Sequence, residues 1–360
     1  MENGHIFENI FYIFHGHLEL ITNLIVYAST FAGLKLAPIV TTYTSFAVQT
    51  IPIFFIIRYH KTFSLTRLST MLVVVIAVGL PQALEVWANS INLHFHLGLL
   101  AALIAAINPN DGPPKWVSRL LLAMAGLGGI PANFLVPVFA MLAIKTQQAE
   151  RRVQCSILSL TAALQILLLI FHHSDVGSRD YFPAPLAFWL ASIAQSVASP
   201  LFGFSTGEQL VNIMKGALDM KSASILLAIF LSIPLVHLFM IGAANKLSPV
   251  GIIIISAFTL LFMSLVTALG NKEALISSAN SGRYFYASNI LFAIAFLASI
   301  KEYKPLISIA VFVLTISSLI NVNKYTGGPD WKASFSVARS NGDTTYNIWP
   351  AGWIMVLQSR

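Results

Sequence analysis

Four groups of polar residues interrupt an otherwise apolar chain, and each holds side chains that acid–base or anion-binding chemistry uses. The first is Phe14-His15-Gly16-His17-Leu18-Glu19, two imidazoles and a carboxylate. The second runs from Glu85 through Asn89, Asn92 and His94 to His96. The third holds His172, His173, Asp175, Arg179 and Asp180. The fourth holds Lys272, Glu273 and Asn280 and ends in Ser281-Gly282-Arg283-Tyr284-Phe285-Tyr286. A positioned carboxylate serves as a general base toward a hydroxyl, and a guanidinium grips a phosphate through two parallel hydrogen bonds.

The second and fourth groups carry the sharpest expectations. On a helix that continues past its apolar span, Glu85 and Asn89 share a face. Asn92 and His96 follow, so a carboxylate, two amides and an imidazole are expected to converge at a cavity mouth and to suit a hydroxyl-rich or phosphate-bearing ligand. The plainer account is a helix cap at a membrane surface. Arg283 opens an apolar segment with Tyr284 beside it; it is expected to hold a phosphate, against the plainer account of an interfacial aromatic belt over Tyr284, Phe285 and Tyr286. The spacings His15-x-His17 and His94-x-His96 place both imidazoles on one face only in a strand, and the His-Glu-x-x-His pattern is absent from the sequence. No cofactor is therefore expected, and a divalent metal is the disfavoured reading.

These groups must be positioned by elements of unusual composition. Hydrophobic residues make up 56% of the 360 residues and charged ones 10%, and mean hydropathy is +0.76. A water-exposed domain carries about 25% charge, so the composition excludes a soluble domain and a disordered chain. The single Cys155 excludes a disulfide framework or a multi-cysteine metal cluster. The net charge of +7 is scattered, with no Lys/Arg run beyond two residues, which argues against nucleic acid as a partner.

A helix needs about 20 apolar residues to cross the hydrocarbon core. The expected fold is all-α, a polytopic membrane bundle of about eight to ten spans counting half-helices. The expected spans are Ala37–Ile57, Leu68–Trp87, Phe95–Ile107, Leu120–Ile144, Val153–Phe171, Ala223–Ala243, Val250–Leu269, Tyr284–Ile300 and Leu306–Val322. Leu18–Leu36 and Pro185–Phe204 carry polar residues and are expected to lie in the interface. Leu120–Ile144 is expected to enter and return as two half-helices broken at Gly128-Gly129-Ile130-Pro131, a weak pointer to an internal cavity. Residues 1–322 form the bundle and its loops, and 323–360, rich in turn residues, a small extramembrane tail.

This topology gathers eleven cations, from Arg58 to Lys304, and three acids on one face, a charge of +8 against −1 on the other. The basic face is expected to be cytoplasmic. All four polar groups and both termini then lie outside.

The pattern resembles the bacterial C-type integral-membrane glycosyltransferases. Gly16-His17-Leu18-Glu19-Leu20 and the following segment to Gly33-Leu34-Lys35-Leu36-Ala37-Pro38 resemble the interfacial helix before that family's second span. Glu85 to Leu97 resembles the loop between its third and fourth spans, and Ser281-Gly282-Arg283-Tyr284-Phe285 the opening of a late span. The resemblance implies transfer of a sugar from a polyprenyl-phosphate carrier on the outer face of a bacterial inner membrane. Arg283 and Tyr284 would face the carrier phosphate, and His17, Glu85, Asn89, Asn92 and His96 would contact substrate. It also places the family's first span and catalytic acid ahead of Gly16, where Glu2 and Glu8 are the only acids. The expectation is a shortened start, with Glu8 or Glu19 as the base, or an inactive relative. Two other classes remain open: a transporter or flippase for a lipid-linked or small solute, and a structural subunit of a membrane complex.

Overall fold

Backbone groups in hydrocarbon must be paired within the chain, so apolar segments of this length fold as helices. The computed structural model is an all-α membrane bundle. It describes residues 6–14, 16–33, 35–80, 86–172, 185–219, 221–267, 275–276 and 282–300, and the strands at 345–348 and 353–356.

The chain opens with a short helix α1 (Ile6–Ile10) and a two-residue antiparallel hairpin, β1 (Ile13–Phe14) with β2 (His17–Leu18). Next comes α2 (Leu20–Thr30), eleven residues long and too short to cross a bilayer. Asn23 in α2 donates to the carbonyls of Ile10 and Tyr12 at 3.0 and 2.8 Å, which ties the hairpin to the helix. Then α3 (Ala37–Gln49) and α4 (Ile51–Arg58) run together as a 22-residue apolar helix. Pro52 sits at the α3–α4 junction, in the first turn of α4, where proline is best tolerated. Helix α5 (Arg67–Gly79) begins at Thr66, whose side chain caps the Ser69 N–H. It stops at Gly79, well short of the expected Trp87.

Helix α6 (Leu93–Ala106) is the axis of the bundle. It is apolar all round and buried at every position except His94, as expected of a central helix. Helix α7 (Lys115–Leu127) rises beside it. After Gly128 and Gly129, α8 (Ile130–Asn133) and α9 (Val136–Thr146) descend, bent by 117° from α7. The break expected at Gly128–Pro131 is present. Gly129 has φ +147°, a conformation that costs little only in glycine. Helix α10 (Ala149–Phe171) completes this half.

The second half begins with α11 (Pro185–Ile193), which passes through a π-helical turn (Ala194–Ala198) into α12 (Ser199–Lys215). Residues Pro185–Gly203 form a 19-residue apolar helix, 67% buried. By length and composition this segment could also cross a membrane, beside the interfacial placement expected for it. Helix α13 (Ser222–Ala244) shows lipid a face of Leu226, Phe230, Ile233 and Met240. Helix α14 (Pro249–Thr267), the 3₁₀ turn at Gly282–Phe285 and α15 (Tyr286–Ser299) pack against α6. The strands β3 (Thr345–Ile348) and β4 (Trp353–Val356) pair antiparallel. The expected span Leu306–Val322 lies outside the described residues, and so does the tail apart from these strands.

Five described helices are long and apolar enough to cross a membrane, or six with the bent α7–α9 pair. One end of the bundle collects the start of α6, the α7–α8 tip and the finish of α14. The opposite end holds Arg119, Glu150 and Arg151. There Arg119 forms a two-pronged pair with Glu150 at 3.1 and 2.6 Å. Buried Arg151 donates to the carbonyls of Ile104 and Ile107 at 3.3 and 2.7 Å, capping the C-terminus of α6.

Candidate functional site

At the first end a cavity of about 270 Å³ is lined by His17, Glu19, Asn92, His94, Phe95, Ile130, Pro131, Phe134, Ser264, Thr267, Arg283 and Tyr284, with Phe14 and Ile91 at its edge. Residues from the N-terminal hairpin, the α6 start, the α7–α8 tip, α14 and the 3₁₀ turn thus share one space, although up to 270 positions separate them in sequence.

Glu19 is its centre. The carboxylate is almost wholly enclosed, with its side chain 6% exposed. His17 Nε2 lies 3.1 Å from Oε1, and His94 Nδ1 lies 3.3 Å from the same oxygen. Glu19 sits in the connector ahead of α2, outside the membrane-crossing helices. Burial disfavours its charge, but the two imidazoles overcome that cost and hold its pKa down to about 2.

Two buried polar networks keep this geometry. Gln165 of α10 closes a paired amide contact with β2: its Nε2 donates to the Leu18 carbonyl and its Oε1 accepts the Leu18 N–H, both at 2.9 Å. His17 and Glu19 flank that anchored residue. Asn133 donates to the carbonyls of Gly126 and Gly129 at 2.8 and 3.1 Å, and Thr161 Oγ1 donates to Asn133 Oδ1 at 2.7 Å. The tip and the hairpin are therefore both fastened to α10. A buried polar group left unpaired costs about 1–3 kcal/mol, so each partner is held firmly.

The remaining expected site residues divide. Asn92 and Tyr284 line the cavity. The Arg283 guanidinium, also in the lining, stands 5.3 Å from the Tyr284 ring centre. Glu8 lies on exposed α1 and is not part of the lining. Asn89 does not reach it either. Over residues 86–92 the expected continuing helix is replaced by a turn, which buried Gln49 fixes. Gln49 donates to the carbonyls of Val86 and Asn89 and accepts from the Ala88 N–H, at 2.8, 2.9 and 2.8 Å. Asn89 Oδ1 is taken by the Ile91 N–H at 2.9 Å. His96 faces away from the cavity and is packed between Trp87 and Tyr286, at 4.6 and 4.7 Å between ring centres. Glu85 lies outside the described residues.

Gln165, Asn133 and Thr161 escaped the sequence reading, and His94 entered it as a member of the second polar group and of a possible chelating pair, without a role at the site. The available signal was an amide inside an apolar span: Gln165 stands near one end of a 23-residue helix, where an unpaired amide is costly. Among the described residues no group of three or more His, Cys, Asp or Glu has the arrangement of a metal site.

A second, apolar groove of about 920 Å³ lies between α9, α10, α13 and α14. Phe134, Ile166, Leu169, Phe239, Ile255, Phe258 and Phe262 line it, with Lys246 at the opposite end of the bundle. It shares Ile130, Phe134 and Thr267 with the polar cavity, so the two spaces adjoin. The positions of α14 that line the groove run from Ile254 to Thr267, about 20 Å along the helix axis. No protein-family model, curated protein or solved structure matches the chain.

Proposed function

We propose that this protein binds a polyprenyl-phosphate-linked sugar and transfers the sugar on the outer face of the membrane, as the resemblance to C-type glycosyltransferases implies. The observation that carries the reading is a pair of adjoining spaces, a polar cavity at the end of the bundle and an apolar groove beside it that share Ile130, Phe134 and Thr267. Glu19, His17, His94 and Arg283 line the polar cavity, and the groove beside α14 adjoins it. A lipid phosphate has that division: a charged head at the surface and a long chain in the hydrocarbon.

In this reading Arg283 holds the carrier phosphate, and Glu19 faces the acceptor hydroxyl. The hydroxyl oxygen forms the new bond to the anomeric carbon as the bond from that carbon to the phosphate oxygen breaks. The electron pair leaves with the polyprenyl phosphate, whose charge Arg283 stabilises. The hydroxyl proton passes to Glu19. A carboxylate held near 2 is ionised at any physiological pH. It is a weak base, so it takes the proton late, when the attacking oxygen has become acidic.

Binding of a long-chain polyprenyl phosphate and of geranyl phosphate to the purified protein tests this. Arg283→Ala weakens both ligands by about 1.5–3 kcal/mol, the range for hydrogen bonds to charged groups. Arg283→Lys recovers part of the loss, because an ammonium lacks the planar fork. Ala162→Trp, which fills the groove, weakens only the long-chain ligand. Equal affinity of both ligands in wild type and all three variants would refute the assignment.

A further inference from the structure

The turn at the top of the α7–α8 hairpin does more than reverse the chain. Gly129 has φ +147°, and its backbone lies directly against His94: a side-chain carbon at position 129 would stand 2.5 Å from the His94 Cβ and 3.1 Å from its Cγ. Position 129 is also held from below, through its carbonyl, by Asn133. His94 in turn has Nδ1 enclosed and 3.3 Å from Glu19 Oε1, within ion-pair distance but outside hydrogen-bond geometry. A rigid contact therefore runs from Asn133 through Gly129 and His94 to the carboxylate. On the other side, Gln165 anchors Leu18 between His17 and Glu19.

We propose that the α7–α8 tip is a positioning element of this site: Gly129 seats His94 against Glu19, and His94 and His17 together fix that carboxylate in the orientation in which it reacts. His94 and Gly129 are positioning residues, since they act through Glu19. The inference rests on the transferase reading only in taking Glu19 as the reacting group. The titratable groups facing the same cavity are His17 from β2, His94 from α6, and Arg283 and Tyr284 from the 3₁₀ turn; the lining parts of α8 and α14 contribute none. The low pKa of Glu19 agrees with two imidazole nitrogens at 3.1 and 3.3 Å from one oxygen.

Infrared titration of the Glu19 carboxylate needs no substrate, so its outcome is independent of whether sugar transfer is found. The Glu19 signal is isolated by subtracting the spectra of the matching Glu19→Gln protein, and melting in detergent is recorded for each variant. An asparagine amide nitrogen occupies the place of imidazole Nδ1, whereas a glutamine nitrogen reaches the place of Nε2. His94→Gln is therefore expected to raise the Glu19 midpoint by about 1–3 pH units, the size of effect from removing a close favourable partner, and His94→Asn to restore most of that shift. For His17, whose Nε2 makes the contact, the order reverses: His17→Gln is tolerated and His17→Asn is not. Gly129→Ala displaces His94 and raises the midpoint as His94→Gln does, and adding Gly129→Ala to His94→Gln brings no further shift, as coupled sites require. A Glu19 midpoint unchanged by His94→Gln, or equal in His94→Gln and His94→Asn, would overturn the proposal. So would an unchanged midpoint in a folded Gly129→Ala protein; if that variant does not fold, the His94 pair decides alone.

Discussion

Glu19 shows how strongly a few contacts can act on one group. An enclosed carboxylate ordinarily becomes harder to ionise. Here two imidazoles reverse the effect, and the group ionises about 2 rather than near 4.5. The consequence for stability has a definite sign. In the unfolded chain the carboxyl binds a proton below about 4.5, while in the folded state it resists protonation until about 2. The folded state is thus favoured at all pH above 4.5, and the advantage disappears as pH falls from about 4.5 to 2. Its size is on the order of 3 kcal/mol. Thermal unfolding in detergent, followed from pH 6 to pH 2, should show this loss in the wild type and a flatter profile in Glu19→Gln. Parallel profiles would mean that the carboxylate is not held by its neighbours. Arg151 at the other end shows the same economy: one guanidinium satisfies two carbonyls of α6 and the Gln154 side chain, the latter at 3.0 Å.

At the scale of elements, the β1–β2 hairpin and the α7–α8 tip are too short to hold a shape alone. A two-stranded hairpin is marginal in water, and this one has two residues per strand. Its order comes from α10 through Gln165. Gln165→Leu keeps the helix and much of the volume but strands the Leu18 N–H and carbonyl away from their partner. We expect a loss of about 1–3 kcal/mol, and faster hydrogen exchange at the Leu18 amide than at amides within α10. Unaltered protection of Leu18 would show that the hairpin is held by other contacts. The tip depends on Asn133 and Thr161 in the same way, so α10 carries both walls of the cavity.

For the whole molecule, the arrangement of ends matters more than any single span. Ile91 lies at the cavity end and Asn110 at the opposite end, beyond the C-terminus of α6; both are exposed. In a Cys155→Ser background, Ile91→Cys is expected to react with a membrane-impermeant maleimide from outside intact cells, and Asn110→Cys only after the membrane is opened. The reverse pattern would place the cavity on the cytoplasmic side and remove the outer-face transferase reading. The charge asymmetry of +8 against −1 is the reason for the expected orientation.

The sequence by itself determined the class of fold, the half-helix break and the types of residue gathered near span ends. Composition and apolar run length suffice for these, because a bilayer leaves helices as the economical answer, and Gly128-Gly129-Ile130-Pro131 cannot continue one. It also drew attention to Glu19, His17 and Arg283. Only the tertiary structure decided which of the marked residues meet. Asn89 is consumed by a turn that Gln49, forty positions earlier, imposes; His96 turns into an aromatic pocket one helical turn from the cavity; Glu8 stays on an exposed helix. The contacts that set Glu19 and its surroundings come from His94, Gly129 and Gln165. Leu18 and Gln165 are 147 positions apart, and no local periodicity encodes such a pairing. Hydrophobic pattern fixes which face of a helix is enclosed, but the convergence of polar groups at one end of a bundle depends on crossing angles and close approaches between helices, which arise only when the elements pack.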